Sequence, residues 1–433
     1  MATDVDVQYF SHLNGLTLGN NWGDLIRLLD KALVTGIDFT QITSASIDAQ
    51  GDVHITLYAA HNAMLFQVVE LSGFTPSSLN QKYRIKGVPS TTELILKPHT
   101  AIAETSIATM GSAKLASLGY DIIFRDTNDI KRVYRAKNPT AQHPFIRVDE
   151  SLTSPDGTTG VYTPTYAKSA MVGLLERMDH IDDYEKPDVL QLPFNPNDPA
   201  KNWKITGTGA TVVRGWAKWY WARGSAAPNN TALESSIPAS GSRNFTLTGD
   251  SDAFYLQLNP ANLSANKQIM GCGLYSSALL SDVIPNWFLM TTMKDNAANN
   301  NTLSESVPIQ QLGSMPLLTD QTSNRFFVPK YDLATPLSPH ALAVGILPTT
   351  TSGVNNLYPS SAISALEIPF YSEDGYLRGS LKHIYFSGKY LATNTASTAL
   401  LGENHCFVAD SVHSFTGDNN LVGGVYYYLG AIE

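Results

Sequence analysis

Short runs in which apolar and polar residues alternate, each closed by Gly, Pro, Asn or Asp, recur through most of this chain. Successive strand side chains point to opposite faces, so such runs build sheets with one face toward a core. The stretch GYDIIFRDTNDIKRVYRA, Gly119 to Ala136, shows the pattern twice in succession. Tyr120, Ile122 and Phe124 fall on one face of a first strand. Asp126-Thr127-Asn128-Asp129 is turn chemistry, because Asp and Asn side chains bond their own backbone and tolerate unusual dihedrals. Ile130, Val133 and Tyr134 follow among Lys131, Arg132 and Arg135, which reads as a return strand with a solvated basic face. Val53 to Tyr58, Gln81 to Val88 and Glu93 to Leu96 read as further strands. So do Thr211 to Trp221, Leu381 to Phe386, Cys406 to Asp410 and Val422 to Ile432. Asn244 to Thr248 and Ala253 to Leu258, joined by Gly249-Asp250-Ser251-Asp252, form a second hairpin.

One segment departs from this rule. In NNWGDLIRLLDKALVTG, Asn20 to Gly36, the residues Trp22, Leu25, Ile26, Leu29 and Leu33 fall at helical steps. Asn20 or Asn21 suits the N-cap and Gly36 the left-handed C-terminal stop. A second short helix is expected within MVGLLERMDHIDDYEKPD, and Ala101 to Ala116 fits helix or strand equally. QLPFNPNDPAKNW reads as a connection between two domains, residues 1–186 and 187–433. Asp295 to Ser306 reads as an exposed Asn-rich loop. The fold class expected is mainly β: an N-terminal α+β domain with one amphipathic helix, then a larger β-sandwich or barrel-like region. No internal period of solenoid or propeller length is present.

Composition narrows the functional classes. Charged residues make up 15% of the chain, against the usual quarter, and 29 basic residues face 38 acidic ones. That balance argues against nucleic acid as the main partner. Cys272 and Cys406 make no disulfide framework and read as buried apolar side chains. The opening MATDVDVQYF has no secretory character, and ALLSDVIPNWFLMTTM is too short and too interrupted to span a membrane. A soluble chain made in the cytoplasm is expected.

The candidate chemical groups each have a simpler structural account. Gly-x-Ser-x-Gly, Walker and His-Glu-x-x-His patterns are absent. Gly207-Thr208-Gly209 lacks the third glycine of a dinucleotide loop and reads as a turn. Asp179, His180, Asp182 and Asp183 are the densest possible metal ligands, but their spacing does not match a calcium loop, and no metal is expected there. Asp250 and Asp252 resemble a glycosidase pair only in composition, and turn hydrogen bonding accounts for them better. Trp216, Trp219, Tyr220 and Trp221 could make a sugar-stacking platform, yet burial in a core or interface outranks it. Four Asn-x-Ser/Thr sequons, Asn229-Asn230-Thr231 among them, are expected by chance in a chain this rich in those residues. No catalytic, cofactor-binding or metal residue is expected, and no cofactor.

Several motifs in order resemble structural proteins of tailed bacteriophages. GYDIIFRDTNDIKRVYRAKNP followed by FIRVDES resembles a segment in which a Gly-aromatic start, a turn and a Val-Tyr-Arg strand precede Arg-Val-Asp. Ahead of it, GFTPSSLNQKYRIKGVPSTTELIL, Gly73 to Leu96, is similar to their strand-turn-strand. NFTLTGDSDAFYL resembles their Gly-Asp hairpin, and YLRGSLKHIYF their Arg-Gly strand near the C-terminus. The resemblance implies a virion protein of the neck, tail or baseplate region, with Ala101 to Leu118 extended. The missing catalytic constellation, the low charge and the many aromatic strands add the expectation of a non-enzymatic subunit whose partners are copies of itself, as a ring or trimer, and other virion proteins. A receptor- or glycan-binding tail appendage is the alternative, and a polysaccharide-degrading tail enzyme a more distant one.

Overall fold

The computed structural model describes residues 3–432 except 155–159, 208, 210–211, 225–234, 236, 262–266, 280–283, 294–324, 333–336, 338–339, 347–362, 388–390, 392–396 and 414–421. The loop expected at Asp295 to Ser306 and the sequon at Asn229 lie outside the described residues, as does Thr208.

Apolar residues on both sides of a strand demand a core on both sides, and the central sheet meets that demand. Among the described residues it has ten antiparallel strands. Gln8–Ser11 is at one edge, followed by Phe245–Gly249, Ala253–Leu258, Gln268–Leu274 and Trp287–Met290. Then come Arg325–Val328, Ala341–Gly345, Pro369–Ser372, Leu377–Ser380 and Ser276–Ser277. In Ala253–Leu258 the alternate residues Phe254, Leu256 and Leu258 enter one core, while Ala253 and Tyr255 enter another. The first core continues into the helix and two further sheets. The second is closed by a four-stranded sheet, Ile384–Phe386, Val422–Ala431, His405–His413 and Thr398–Gly402. The chain is mainly β, as expected, with layered sheets following an N-terminal region that carries the helix.

That N-terminal sheet has seven strands: Ile37–Asp38, Ser112–Leu115, Val68–Ser72, Lys82–Gly87, Glu93–Pro98, Val53–Leu57 and Ile42–Ile47. Residues 101–107, helix-tolerant by composition, form no helix, and Ser112–Leu115 is a strand. The third large sheet runs Thr292–Met293, Ala217–Ala222, Lys168–Leu175, Phe145–Asp149, Lys131–Ala136 and Tyr120–Arg125, with Gln191–Leu192 paired to Lys168–Leu175. Pairings therefore join the chain before residue 186 to the chain after it, at 8–11 with 246–249 and at 168–171 with 218–222.

The expected helix forms as α1, Asp24–Leu29, continued by a π-helical turn at Asp30–Thr35 in which the Gly36 N–H reaches the Lys31 carbonyl. Leu25, Ile26, Leu29 and Leu33 are buried as the stripe requires, and Gly36 has φ +73°. The cap is not the expected one. The Gly23 and Ile26 N–H groups donate to the carboxylate of Glu150, and Asp24 accepts from the Asn21 N–H. A carboxylate from a distant strand thus replaces the local asparagine, and it also complements the positive end of the helix.

Two expectations are corrected by burial. MVGLLERMDHIDDYEKPD holds no helix. Its first five residues end the strand Lys168–Leu175, all eight residues of which are buried. A strand covered on both faces loses the alternation that would mark it. The basic return strand is not a solvated face either. Arg132 is 1% exposed and bound to Asp30 and Asp129, Lys131 reaches Asp182, and Arg135 lies over the Phe145 ring. The carboxylates that neutralise these cations come from the helix, the turn and the 179–183 run.

The N-terminal segment lies beside the last strand, with Thr3 opposite Ile432 in antiparallel pairing and the Asp4 N–H on the Ala431 carbonyl. Arg84, fully buried, holds this junction. Its five N–H donors reach the carbonyls of Asp4 (twice), Val7, Phe66 and Leu429.

Candidate functional site

The hairpin at 120–136 frames a polar cleft. Its turn closes as expected: Asp126 Oδ1 accepts from the Ile130 and Lys131 N–H groups, Oδ2 accepts from Asn128, and Asp129 takes the left-handed φ of +62°. Ile122 and Phe124 face the return strand, opposite Tyr134 and Val133. They do not share a face. A β-bulge at Ile123 leaves one extra residue on the first strand, so Tyr120, Ile122 and Tyr134 pack into the main core while Phe124 and Val133 pack into a third, smaller core. Phe124 is only half-buried.

Beside this third core lies a cleft of about 330 Å³, lined in part by Asp126, Lys131, Asp149, Ser151, Asp182 and Trp203. The alternation of Phe145–Asp149 and the tight pairing of its neighbours bring these residues together from four separate stretches. Arg147 anchors the cleft from below. Its Nε donates to the Ile181 carbonyl at 2.8 Å and its Nη2 to Asp182 Oδ1 at 2.7 Å, while Nη1 lies 2.9 Å from Asp149 Oδ2. The guanidinium also stacks 4.3 Å over Trp203 and 4.7 Å over Tyr184. Burial raises the Asp149 carboxyl, but Arg147 and the Ser151 hydrogen bonds outweigh it and hold the group below its ordinary range. Asp182 is likewise raised by burial and lowered further by Lys131 and Arg147. Both carboxylates are therefore charged at neutral pH. The Ser151 hydroxyl, on a residue 8% exposed, is buried beside the Asp149 carboxylate.

The run at Asp179–Asp183 thus divides. Asp182 enters the cleft, whereas Asp179 and Asp183 hold Lys186 at 3.1 and 2.8 Å. Among the described residues no group of three or more His, Cys, Asp and Glu side chains is placed to hold a metal ion.

Asp250 and Asp252 behave as turn residues, with Asp250 Oδ1 accepting from the Asp252 and Ala253 N–H groups. Sequence reasoning missed their further partners. His143 Nε2 lies 2.9 Å from Asp252 Oδ1, Lys382 also binds Asp252, and His383 lies 2.8 Å from Asp250. The Thr140 N–H donates to His143 Nδ1, so the proton of the neutral ring sits on Nε2, facing the carboxylate. The His143 bond, against burial and with help from Lys382, pulls the Asp252 carboxyl far below its ordinary range. Both acids are held as acceptors, so neither of this pair is a raised carboxylic acid suited to general-acid work.

The tryptophans are interior. Trp219 and Trp221 are fully buried, Trp216 is 3% exposed, and Trp219 Nε1 donates to the Met290 carbonyl. A stacking platform at this position is ruled out by burial. Cys272 and Cys406 are free and buried, and Gly207 and Gly209 lie between the paired strands Ile205–Thr206 and Val213–Arg214. Among the described residues no helix is long and apolar enough to cross a membrane.

Among the described residues an apolar row on the central sheet is exposed. Val344, Tyr371 and Leu377 stand in register across three strands of the central sheet. Tyr371 is 44% and Leu377 54% exposed, and Tyr376 and Ile346 are exposed beside them.

No protein-family profile matches the sequence, and no curated protein matches it. Among solved structures the chain is similar to the Phage phi92 endosialidase at 8% identity and a TM-score of 0.16, over 92% of this chain and 52% of that one. The chain spans about half the length of that protein, and a likeness this loose fixes neither fold nor activity.

Proposed function

We propose that the chain is a non-enzymatic structural subunit of a tailed-bacteriophage particle, repeated as a ring or trimer in the neck, tail or baseplate. Its partners are other copies of itself and neighbouring virion proteins, with neither membrane nor nucleic acid among them. The observation that carries the reading is the row of half-buried Val344 with exposed Tyr371 and Leu377, and with Tyr376 and Ile346. Aromatic and aliphatic side chains aligned on an open sheet face, in a chain poor in charge, are the composition of an interface centre. The ordered motifs at Gly73 to Leu96, Gly119 to Ser151, Asn244 to Leu256 and Tyr376 to Phe386 support the same class. The paired acids support it from the other side, since each is committed to a cation or a turn.

The test is proteomic and structural analysis of purified particles. The protein is expected in virions at a fixed multiple of the symmetry of its tier, and Leu377→Lys should abolish its incorporation without unfolding it. Absence from particles, or turnover of a host polysaccharide by the pure protein, overturns the reading.

A further inference from the structure

We propose that the strand Ile42–Ile47 pairs edge to edge with the same strand of a second copy, making two N-terminal sheets continuous. The proposal rests on the reading that copies of the chain are among its partners, and it names one contact between them.

Ile42–Ile47 is the last strand of its sheet and pairs only with Val53–Leu57. Which of its backbone groups face outward follows from the ladder. The Asp48 N–H donates to the Asp52 carbonyl, so Asp48 turns its polar groups toward the neighbouring strand. Orientation alternates along an antiparallel pair, so Ser46 and Ser44 also face inward, while Ala45 and Ile47 face out of the sheet. The N–H and C=O groups of Ala45 and Ile47 have no partner among the described residues. Such a row is a template for another strand.

Edges that stay single are commonly blunted by shortness, charge or proline. The edge Ile37–Asp38 has two residues, one of them an acid, and the edge Tyr120–Arg125 carries Asp121 and Arg125. Ile42–Ile47 has six residues with neither charge nor proline. Its bulge falls between Ile42 and Ser44, at one end, and leaves 44–47 regular.

The occupant is a copy of the same strand because ITSASI reads almost alike in both directions. A two-fold axis through Ala45 sets it against the partner's Ala45, Ser44 against the partner's Ser46, and Ile47 against the partner's Thr43. The outward groups of Ala45 and Ile47 then gain main-chain bonds, and the exposed serine hydroxyls meet across the axis. No charge faces its like, since the flanking acids Asp38 and Asp48 lie outside the strand. An uncharged edge also holds nothing that would select a foreign strand by charge. Tyr58, 78% exposed, follows the neighbouring strand with its N–H on the Gln41 carbonyl, and offers apolar area at the end of the contact. A two-fold contact is closed, so it joins two copies and leaves the row at Val344, Tyr371 and Leu377 for the ring or trimer.

The test uses the full chain carrying Leu377→Lys, which removes association through the apolar row. Sedimentation velocity and amide exchange are followed into the submillimolar range. Association should rise with concentration, and the amides of Ala45 and Ile47 should gain protection with it, while those of Ser44 and Ser46 are protected throughout. Adding Ser44→Lys and Ser46→Lys sets lysine against lysine across the axis and should weaken association about tenfold. Adding Ser44→Lys and Ser46→Glu sets lysine against glutamate and should keep association within about threefold of the parent. Both positions are exposed, so neither pair should unfold the chain. Exchange at Ala45 and Ile47 that ignores concentration overturns the proposal, as does equal association of the two double variants. Virion content separates this from the particle reading. A chain found in virions that fails to pair refutes the pairing alone, and a chain that pairs but is absent from virions refutes the particle reading alone.

Discussion

Replacing Arg84 by Met removes five hydrogen-bond donors from a fully buried junction while keeping much of the side-chain volume. Four main-chain carbonyls, those of Asp4, Val7, Phe66 and Leu429, then lose their side-chain donor. Each buried acceptor left short costs about 1–3 kcal/mol, and relief from burying a cation offsets part of the sum. That burial is substantial, for it pulls the guanidinium down to about 10. A net loss of about 3–5 kcal/mol is expected, in the range seen when one side of a buried polar cluster is removed. Lysine is no substitute. It carries three donors on a point charge and cannot reproduce the planar fork, so Arg84→Lys should lose at least about 2 kcal/mol. Denaturant unfolding followed by tryptophan fluorescence measures the loss. Amide exchange localises it, with faster exchange expected over residues 4–7 and 425–431. If Arg84→Met unfolds within about 1 kcal/mol of the native protein, with unchanged exchange in both segments, the reasoning is wrong.

Glu150 is buried, and burial, against the Gly23 and Ile26 hydrogen bonds, pushes its carboxyl from 4.5 up to about 7. A folded value above the unfolded one gives stability that is full below pH 4.5 and lost as pH rises through 7. The loss approaches about 3 kcal/mol and should vanish in Glu150→Gln, and an identical pH slope in the two proteins refutes it. His340 shows the opposite sign, because burial, against the Phe194 backbone, lowers it to about 4. Its contribution is present above pH 6.5 and lost as pH falls through 4, and an NMR titration of the ring with a midpoint near 6.5 contradicts the burial. Phe124→Ala should cost about 1–2 kcal/mol, well short of the roughly 3 kcal/mol of a buried ring, because Phe124 is half-buried. Equal losses in Phe124→Ala and the fully buried Phe254→Ala would remove that distinction.

What the sequence reveals here depends on how local each cause is. The Asp126 turn, the strand partners of Ile122 and Phe124, and the stripe of α1 are set by neighbours within a few residues, and all are legible. The bulge at Ile123 is not, because one extra residue leaves the alternation intact while turning Phe124 to the other side. The cap from Glu150 is supplied across more than a hundred positions, so local patterns point wrongly to asparagine. Met171 to Leu175 is drawn into an expected helix because burial on both faces of the strand Lys168–Leu175 erases its period. The cleft is the least legible feature. Asp126, Asp149, Ser151, Asp182 and Trp203 share no motif, and only the sheet pairing assembles them.

The pairing of Thr3 with Ile432 has a mechanical consequence. In an antiparallel pair the incoming and outgoing chain leave on the same side, so a pull exerted between the two ends loads the bonds one after another, as in opening a zip. Shear, which strains a row of bonds together, does not arise in that direction. The first contacts to open are Thr3 with Ile432 and Asp4 with Ala431. The load then arrives at Arg84, which grips Asp4 and Val7 on one side and Leu429 on the other. A force applied at the ends therefore meets this one side chain before it reaches the edge strand Gln8–Ser11 of the central sheet.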